Sequence, residues 1–306
     1  MIKDRVVRLT KNEDSYGITF NAMASPCEVI IQSIDRELAD KLGHLIASEV
    51  WRIEDKYSRY NHSGVCYVIN KNAGHSVNID EETYLLLNFA EQCYQLSDGL
   101  FDISSGVLRQ VWSFQGTQGN DDNFPAVEQV KQMLSNVGWR KIKYDQKQIS
   151  LAKGMEIDFG GIGKEYAVDR AIILAKQLTN RPILVNLGGD LAVTCSRLNN
   201  EPWQVAIEHP DTDNKNPNLA DMIVSLKSGA LATSGDARRF IINKGKRYSH
   251  ILNAKTGWPI EQAPRSITVV APQCIQAGIL ATLALLQGTH AEQFLEEQDI
   301  KFWARR

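Results

Sequence analysis

Met155–Phe159 is a short apolar run that feeds directly into Gly160-Gly161-Ile162-Gly163-Lys164, after which helical periodicity runs from about Glu165 to Leu178. The run predicts a strand, so the chain must pass from strand to helix through a glycine-rich turn. Glycines there let backbone N–H groups approach anionic oxygens, and the start of the helix adds favourable partial charge. Lys164 supplies a point charge at the same place. The spacing matches neither the G-x-x-x-x-G-K-[ST] phosphate loop nor the G-x-G-x-x-G dinucleotide turn. Taken alone, the segment reads either as a phosphate cradle or as a tightly packed strand–helix junction.

Around this segment the pattern mixes strands and helices. Ile18–Ser33 reads as extended, broken at Ser25-Pro26, and Asp35 reads as the N-cap of a helix that carries apolar residues on one face to about Lys56. A second helix is expected from about Asp80 to Gln95, a third from Val127 to Val137, and a hairpin over Lys141–Leu151 around Asp145-Gln146. Ile183–Leu187 reads as a strand ending in Gly188-Gly189-Asp190, Ser266–Ala271 as a late strand, and Ala277–Leu286 as an apolar helix. Thr117–Phe124 and the polar insertion His209–Asn218 read as loops, the insertion as a mobile one. Without regular βαβ alternation, the fold class expected is α+β.

Composition narrows the function. The 306 residues suggest about two folding units by length. Glycine (21) and proline (9) fall far below the level of low-complexity chains. The net charge of −2 gives no broad basic field for a nucleic-acid backbone. The charged start, MIKDRVVRLTKNEDSYG, lacks the apolar core of about 7–15 residues that a signal peptide needs, and no run reaches the roughly 18 of a membrane span. A cytoplasmic protein is expected, with no membrane partner. The five cysteines are an odd number without a C-x-x-C pair, which fits reduced thiols used as core filler.

A second constellation is Ala232-Thr233-Ser234-Gly235-Asp236-Ala237-Arg238-Arg239, followed by Tyr248-Ser249-His250. Hydroxyls, an acid and two arginines suggest an anion-contacting loop, and His250 is either a proton relay near neutral pH or a structural histidine. His44, His62, His75, His209 and His290 have no comparable surroundings.

Eight ordered blocks go further: FNAMASPCEV, YSRYNHSG, GLFDISSGVLRQVW, IDFGGIGKEYAVDRA, VNLGGDL, ALATSGDARR, YSHILNAKTGWPI and SITVVAP. Through them the chain resembles the ApbE family, the FAD:protein FMN transferases, from about Phe20 to Gly288. The resemblance implies one flavin transferase domain over residues 1–306, an α+β fold with two lobes around an FAD cleft. It implies transfer of FMN from FAD to a Ser or Thr hydroxyl of a partner flavoprotein, with release of AMP. The acceptor motif implied is of the Ser/Thr-Gly-Ala-Ser/Thr type.

By the same resemblance His250 is the base for the acceptor hydroxyl. Met23, Tyr60, Leu100, Phe101, Asp102, Asp158, Lys164 and Leu252 fall at FAD-contacting positions. Gly161, through its carbonyl, and Thr282 are the implied ligands of Mg²⁺. For Met23 and Tyr60 the competing reading is ordinary core packing.

Two positions depart from the family pattern. Its late motif carries Ala-Asp with a Thr four residues after the Asp, where this chain has Ala277-Gly278 and Thr282. Glu165 stands where many relatives have Gly. It is a possible replacement donor, although solvent exposure at a helix start is the simpler expectation. Many relatives are exported lipoproteins, and the start of this chain shows neither signal sequence nor lipidated Cys, so a cytoplasmic acceptor is expected. The alternative function is a non-catalytic FAD carrier or assembly protein that has lost the metal carboxylate. An FAD pyrophosphatase would use water in place of the acceptor.

Overall fold

The structure is a computed structural model that describes residues 5–33, 35–114, 124–210, 220–237 and 239–306. The chain opens with three antiparallel strands, β1 (Arg8–Lys11), β2 (Tyr16–Ala22) and β3 (Ser25–Ile31). α1 (Arg36–Tyr57) begins as expected at Asp35, whose side chain accepts the Leu38 N–H. After α2 (Val65–Lys71) and β4 (Ser76–Asn78), α3 (Glu81–Leu96) is capped in the same way by Asp80 on Thr83 N–H. A 3-10 stretch (Ile103–Gln110), α4 (Val127–Leu134) and the short strands β5 (Lys143–Tyr144) and β6 (Gln148–Ser150) lead to α5 (Gly163–Leu178). β7 (Ile183–Leu187), β8 (Asp190–Val193), β9 (Trp203–Glu208), β10 (Ala220–Leu226), β11 (Gly229–Gly235), β12 (Phe240–Asn243), β13 (Lys246–Ser249) and β14 (Ser266–Ala271) follow. α6 (Cys274–Leu286), α7 (Ala291–Glu297) and β15 (Phe302–Arg305) close the chain.

The main sheet has the order β1-β2-β3-β7-β8-β11-β14-β15, with every neighbouring pair antiparallel. Strand side chains alternate between its faces. Ile183, Val185 and Leu187 join Val29, Ala230 and Val269 under α1, α5 and α6, whereas Leu184, Leu191 and Leu231 join Trp203, Val205 and Val224 of the β9–β10 hairpin. Cover on both faces explains why β7 is apolar at every position but Asn186. α6 is apolar nearly all round because it packs on β11, β14, α5 and α7 at once. The α+β expectation holds.

Several boundaries differ for physical reasons. Met155–Phe159 forms no ladder, although Met155, Ile157 and Phe159 are buried: Asp158 N donates to Ile103 O at 2.9 Å, and a side chain serves Ile157. Asn70 of α2 accepts from Ile157 N at 2.7 Å through Oδ1 and donates to Ile157 O at 2.9 Å through Nδ2. The period-2 burial was legible, while the amide that replaces a partner strand lies far away in sequence. α6 starts at Cys274 rather than Ala277 because Asp169 of α5 accepts the N–H groups of Cys274 and Ile275 at 2.8 and 2.9 Å. The β2–β3 turn falls at Met23-Ala24, not at Ser25-Pro26, which are paired residues of β3. α4 ends at Leu134, short of Val137, and α5 begins at Gly163 rather than Glu165. Most of the expected loops at Thr117–Phe124 and His209–Asn218 lies outside the described residues.

Candidate active site

The start of α5 receives no side-chain cap from Ile162, and Gly160 and Gly161 before it are exposed, while the Gly160 N–H is held by Asp158 and the Ile162 and Gly163 N–H groups by the Phe159 carbonyl. Lys164 sets its Nζ 2.6 Å from Asp190 Oδ2. Burial works against the ammonium, but the neighbouring Asp190 and Glu165 charges more than offset it, and the Lys164 pKa is raised. Asp190 also accepts from Thr233 N at 3.1 Å through Oδ1. The next residue, Ser234, accepts from Thr282 Oγ1 at 3.2 Å. Lys164, Asp190, Ser234 and Thr282 are thus joined across α5, β8, β11 and α6. The structure brings Lys164 and Thr282 into one neighbourhood.

A second group surrounds the glycine turn. Asp158 pairs with the Arg59 guanidinium and accepts from Gly160 N at 2.9 Å, while Arg59 donates to Gly106 O at 3.1 Å. The Phe101 ring lies against Gly161, where a Cβ would come within 3.3 Å of it. Tyr60 is 74% exposed, with the Arg59 guanidinium 5.7 Å from its ring centroid, so most of its aromatic surface is open. Its exposure removes the core-packing reading. Leu100 accepts from Ala254 N at 3.3 Å, tying this group to the segment after His250.

Asp102 plays a different part. Its oxygens accept from Ser104 N at 2.8 Å and Trp139 N at 2.7 Å, and burial outweighs these bonds to raise its pKa. Its carboxylate is committed to backbone N–H groups, so it ties the start of the 3-10 stretch to Trp139, while Ser97 holds the Leu100–Phe101 turn by accepting the Phe101 N–H at 2.9 Å.

Met23 and Ala24 form the two-residue turn between β2 and β3, with φ of 51° and 58°. Positive φ at both positions is the geometry that favours Asn-Gly, and for other residues it is strained. Met23 N donates to Glu54 Oε1 of α1 at 2.7 Å, which holds the strained turn in place. Half-buried, the Met23 side chain packs on the core.

His250 directly follows β13. Its Nδ1 lies 3.2 Å from the Arg239 carbonyl oxygen. A carbonyl can only accept, so Nδ1 carries the proton and Nε2 keeps a lone pair. Burial first, then the Arg239 charge, lowers the His250 pKa from 6.5 to about 4. The ring also meets Phe114 edge-on at 6.4 Å, at the border of an aromatic cluster where Trp112 packs on Phe114, Phe124 and Trp258. Leu252 pairs with Pro259 and packs on the same cluster.

The expected anion-contacting loop is arranged otherwise. Asp236 accepts from Arg265 Nε at 2.8 Å and Arg247 Nε at 2.9 Å, so the loop's acid is a structural hub. Arg239 contributes its carbonyl to His250, and Arg238 lies outside the described residues. Arg59, Glu54 and Asp190 were missed as site residues. Arg59 and Asp190 sit inside the quoted blocks, where a charge beside an aromatic or a Gly-Gly turn was a usable signal, whereas Glu54 shows none.

Glu165 departs from its expected solvent exposure. Its Oε2 is shielded from solvent and has no hydrogen-bond partner, and burial, reinforced by the Asp190 charge, raises its pKa. Among the described residues no three His, Cys, Asp or Glu side chains form a metal-binding group. A hard cation here would draw on carbonyl, hydroxyl and ligand phosphate oxygens, and the Gly161 carbonyl, Thr282 hydroxyl and unpartnered Glu165 oxygen fit that donor chemistry. Among the described residues no helix is long and apolar enough to cross a membrane.

The antiparallel α+β frame thus presents a glycine turn ahead of a helix, a lysine held by a buried acid and an oriented histidine. The chain belongs to the ApbE family, which it matches over residues 23–303. It is 27% identical over 237 residues to the FAD:protein FMN transferase of Haemophilus influenzae, covering 76% of this chain and 66% of that protein. To the FAD:protein FMN transferase of Escherichia coli K12 it is 32% identical over 202 residues, covering 63% and 55%. The chain therefore spans less than two thirds of the length of these curated relatives. The crystal structure of the ApbE protein of Thermotoga maritima superposes with a TM-score of 0.84 at 28% identity, covering 95% of this chain and 94% of that one.

Proposed function

We propose that this protein transfers FMN from FAD to a Ser or Thr hydroxyl of a partner flavoprotein and releases AMP. The observation that carries this reading is the tautomer held at His250, whose Nε2 keeps its lone pair on a ring that stays neutral at pH 7. In the reaction the acceptor hydroxyl attacks the phosphorus of the FMN half and gives its proton to Nε2. The bond from that phosphorus to the bridging oxygen breaks, and AMP leaves. Base assistance of this kind contributes about 10²–10⁴-fold.

Lys164 and the uncapped start of α5 would neutralise the pyrophosphate oxygens. Tyr60 would stack on the flavin, with Met23, Leu100 and Phe101 as apolar walls. Asp158 would keep the Gly160-Gly161 turn in shape, Asp102 would anchor the chain just after Phe101 to Trp139, and Leu252 would fix the segment carrying His250. The Gly161 carbonyl and Thr282 hydroxyl would hold Mg²⁺, which supplies further charge neutralisation at the pyrophosphate. The names of the curated relatives support transfer over the carrier reading, which rests on Gly278. All five cysteines are unpaired, which suits a reducing compartment, and the acceptor proposed is a cytoplasmic flavoprotein with a Ser/Thr-Gly-Ala-Ser/Thr motif.

The test is an intact-mass assay with FAD and an acceptor domain bearing that motif, run with Mg²⁺ and with chelator. Metal-dependent addition of one FMN to the acceptor is expected, lost in His250→Ala while FAD binding persists. FAD binding without transfer at any metal level would replace the proposal with the carrier. FMN release without acceptor would replace it with the pyrophosphatase.

A further inference from the structure

Gly278 lies in the middle of α6, and its φ is not among the positive values that require glycine. Glycine is unfavourable inside a helix, so something else must explain it. A Cβ built on Gly278 would lie 2.5 Å from Glu165 Cγ, 2.8 Å from Oε1 and 2.9 Å from Cδ. The Glu165 side chain of α5 therefore fills the space that a side chain at position 278 of α6 would enter. The two positions exclude each other: a carboxylate can reach this spot from one helix or from the other.

The neighbours of that carboxylate are already committed. The Lys164 ammonium is on Asp190 at 2.6 Å, and both Asp169 oxygens are on the N–H groups that open α6. Glu165 Oε2 is left shielded and unpartnered. A buried carboxylate oxygen in that state is unfavourable until a proton or a cation meets it. Thr282 is one helical turn beyond Gly278 on the same face of α6, and the exposed Gly161 lies four residues before Glu165. Two neutral oxygen donors and one carboxylate with an unpartnered oxygen thus come from the segments flanking one spot.

We propose that Glu165 is the carboxylate ligand of the divalent cation in this chain, delivered from α5 through the space that Gly278 leaves in α6. The inference rests on the proposed Mg²⁺ site and assigns its charge to a helix other than the one carrying Thr282. The Gly161 and Thr282 oxygens carry no charge, so the carboxylate sets most of the affinity.

The test titrates Mn²⁺ into the full chain, with and without FAD, and follows loss of the free-ion EPR signal. Melting temperature is measured in parallel in chelator and in Mn²⁺. Glu165→Gln keeps the shape beside Gly278 and is expected to weaken Mn²⁺ binding at least tenfold and to abolish the Mn²⁺-induced rise in melting temperature. The exchange Glu165→Gly with Gly278→Asp moves the acid to α6 and is expected to bind Mn²⁺ more tightly than Glu165→Gln. Binding by Glu165→Gln within twofold of the unmodified chain would overturn the assignment. So would an exchange variant that folds and binds no better than Glu165→Gln, or an unmodified chain that binds no Mn²⁺ in either condition. Glu165-dependent Mn²⁺ binding without FMN transfer would sink the transferase reading and leave Glu165 as the ligand. Transfer with unchanged Mn²⁺ binding in Glu165→Gln would do the reverse.

Discussion

Lys164 at the start of α5 and Asp190 at the start of β8 meet at 2.6 Å, with the Asp190 side chain only 3% exposed and that of Lys164 27% exposed. This pair locks the glycine turn to the centre of the main sheet. Asp190→Asn keeps an oxygen for Thr233 N–H but removes the charge that holds the ammonium. The expected loss of stability is about 1–3 kcal/mol, within the range for a hydrogen bond to a charged group, and urea denaturation reads it. FAD binding, followed by flavin fluorescence, is expected to weaken with it because Lys164 loses its fixed position.

The Met23-Ala24 turn stores backbone strain. A non-glycine residue in the left-handed region costs about 1–2 kcal/mol, of which glycine gives back part through its freer unfolded state. Ala24→Gly is therefore expected to raise stability by about 0.5–1 kcal/mol in chemical denaturation. An unchanged or lower midpoint would mean that the Met23–Glu54 contact leaves no strain to relieve.

Asn70 does the work of a missing strand partner for Ile157. Asn70→Ala strands the buried Ile157 N–H and leaves the Ile157 carbonyl only the weak Cys66 thiol donor at 3.5 Å, so a loss of about 1–3 kcal/mol is expected. Asn70→Asp keeps the acceptor and loses the donor, and is expected to fall between the two. Equal stability of all three proteins in thermal denaturation would remove the role assigned to Asn70.

His250 sets the pH behaviour. Its folded pKa of about 4 lies below the ordinary 6.5, so the neutral base survives as pH falls through 6. The acid limb of kcat/KM assigned to it is expected well below 6.5, since that parameter reports the free enzyme. The stability sign follows from the same shift: below 6.5 the unfolded chain takes up the proton first, so stability is lost as pH falls from 6.5 toward 4. His250→Ala is expected to flatten that part of the stability–pH curve, and NMR titration of the ring reads the pKa directly.

Much of the fold was legible because its signals are local. Asp35 and Asp80 cap helices within three residues of themselves, and the bounds of β7 and β14 follow from their apolar runs. The ordered blocks carried the family and with it the candidate residues, of which Lys164 and Thr282 meet through Asp190, Thr233 and Ser234. What escaped was pairing across distance. The Met155–Phe159 run looked like any strand, since nothing within it says that Asn70 serves its backbone. Cys274 gave no sign of starting a helix, because its cap, Asp169, is on α5.

The sequence by itself determined the α+β class, the family and the positions where anionic chemistry is expected, because periodicity, caps and ordered motifs are properties of neighbouring residues. The tertiary structure decided which charges are spent and which remain. Asp102 and Asp236 satisfy backbone and arginine groups, whereas Glu165 keeps an unpartnered oxygen beside Gly278. Whether a carboxylate is partnered, exposed or left to find a cation depends on what packs around it, and helix packing places Glu165 against a glycine more than a hundred residues away.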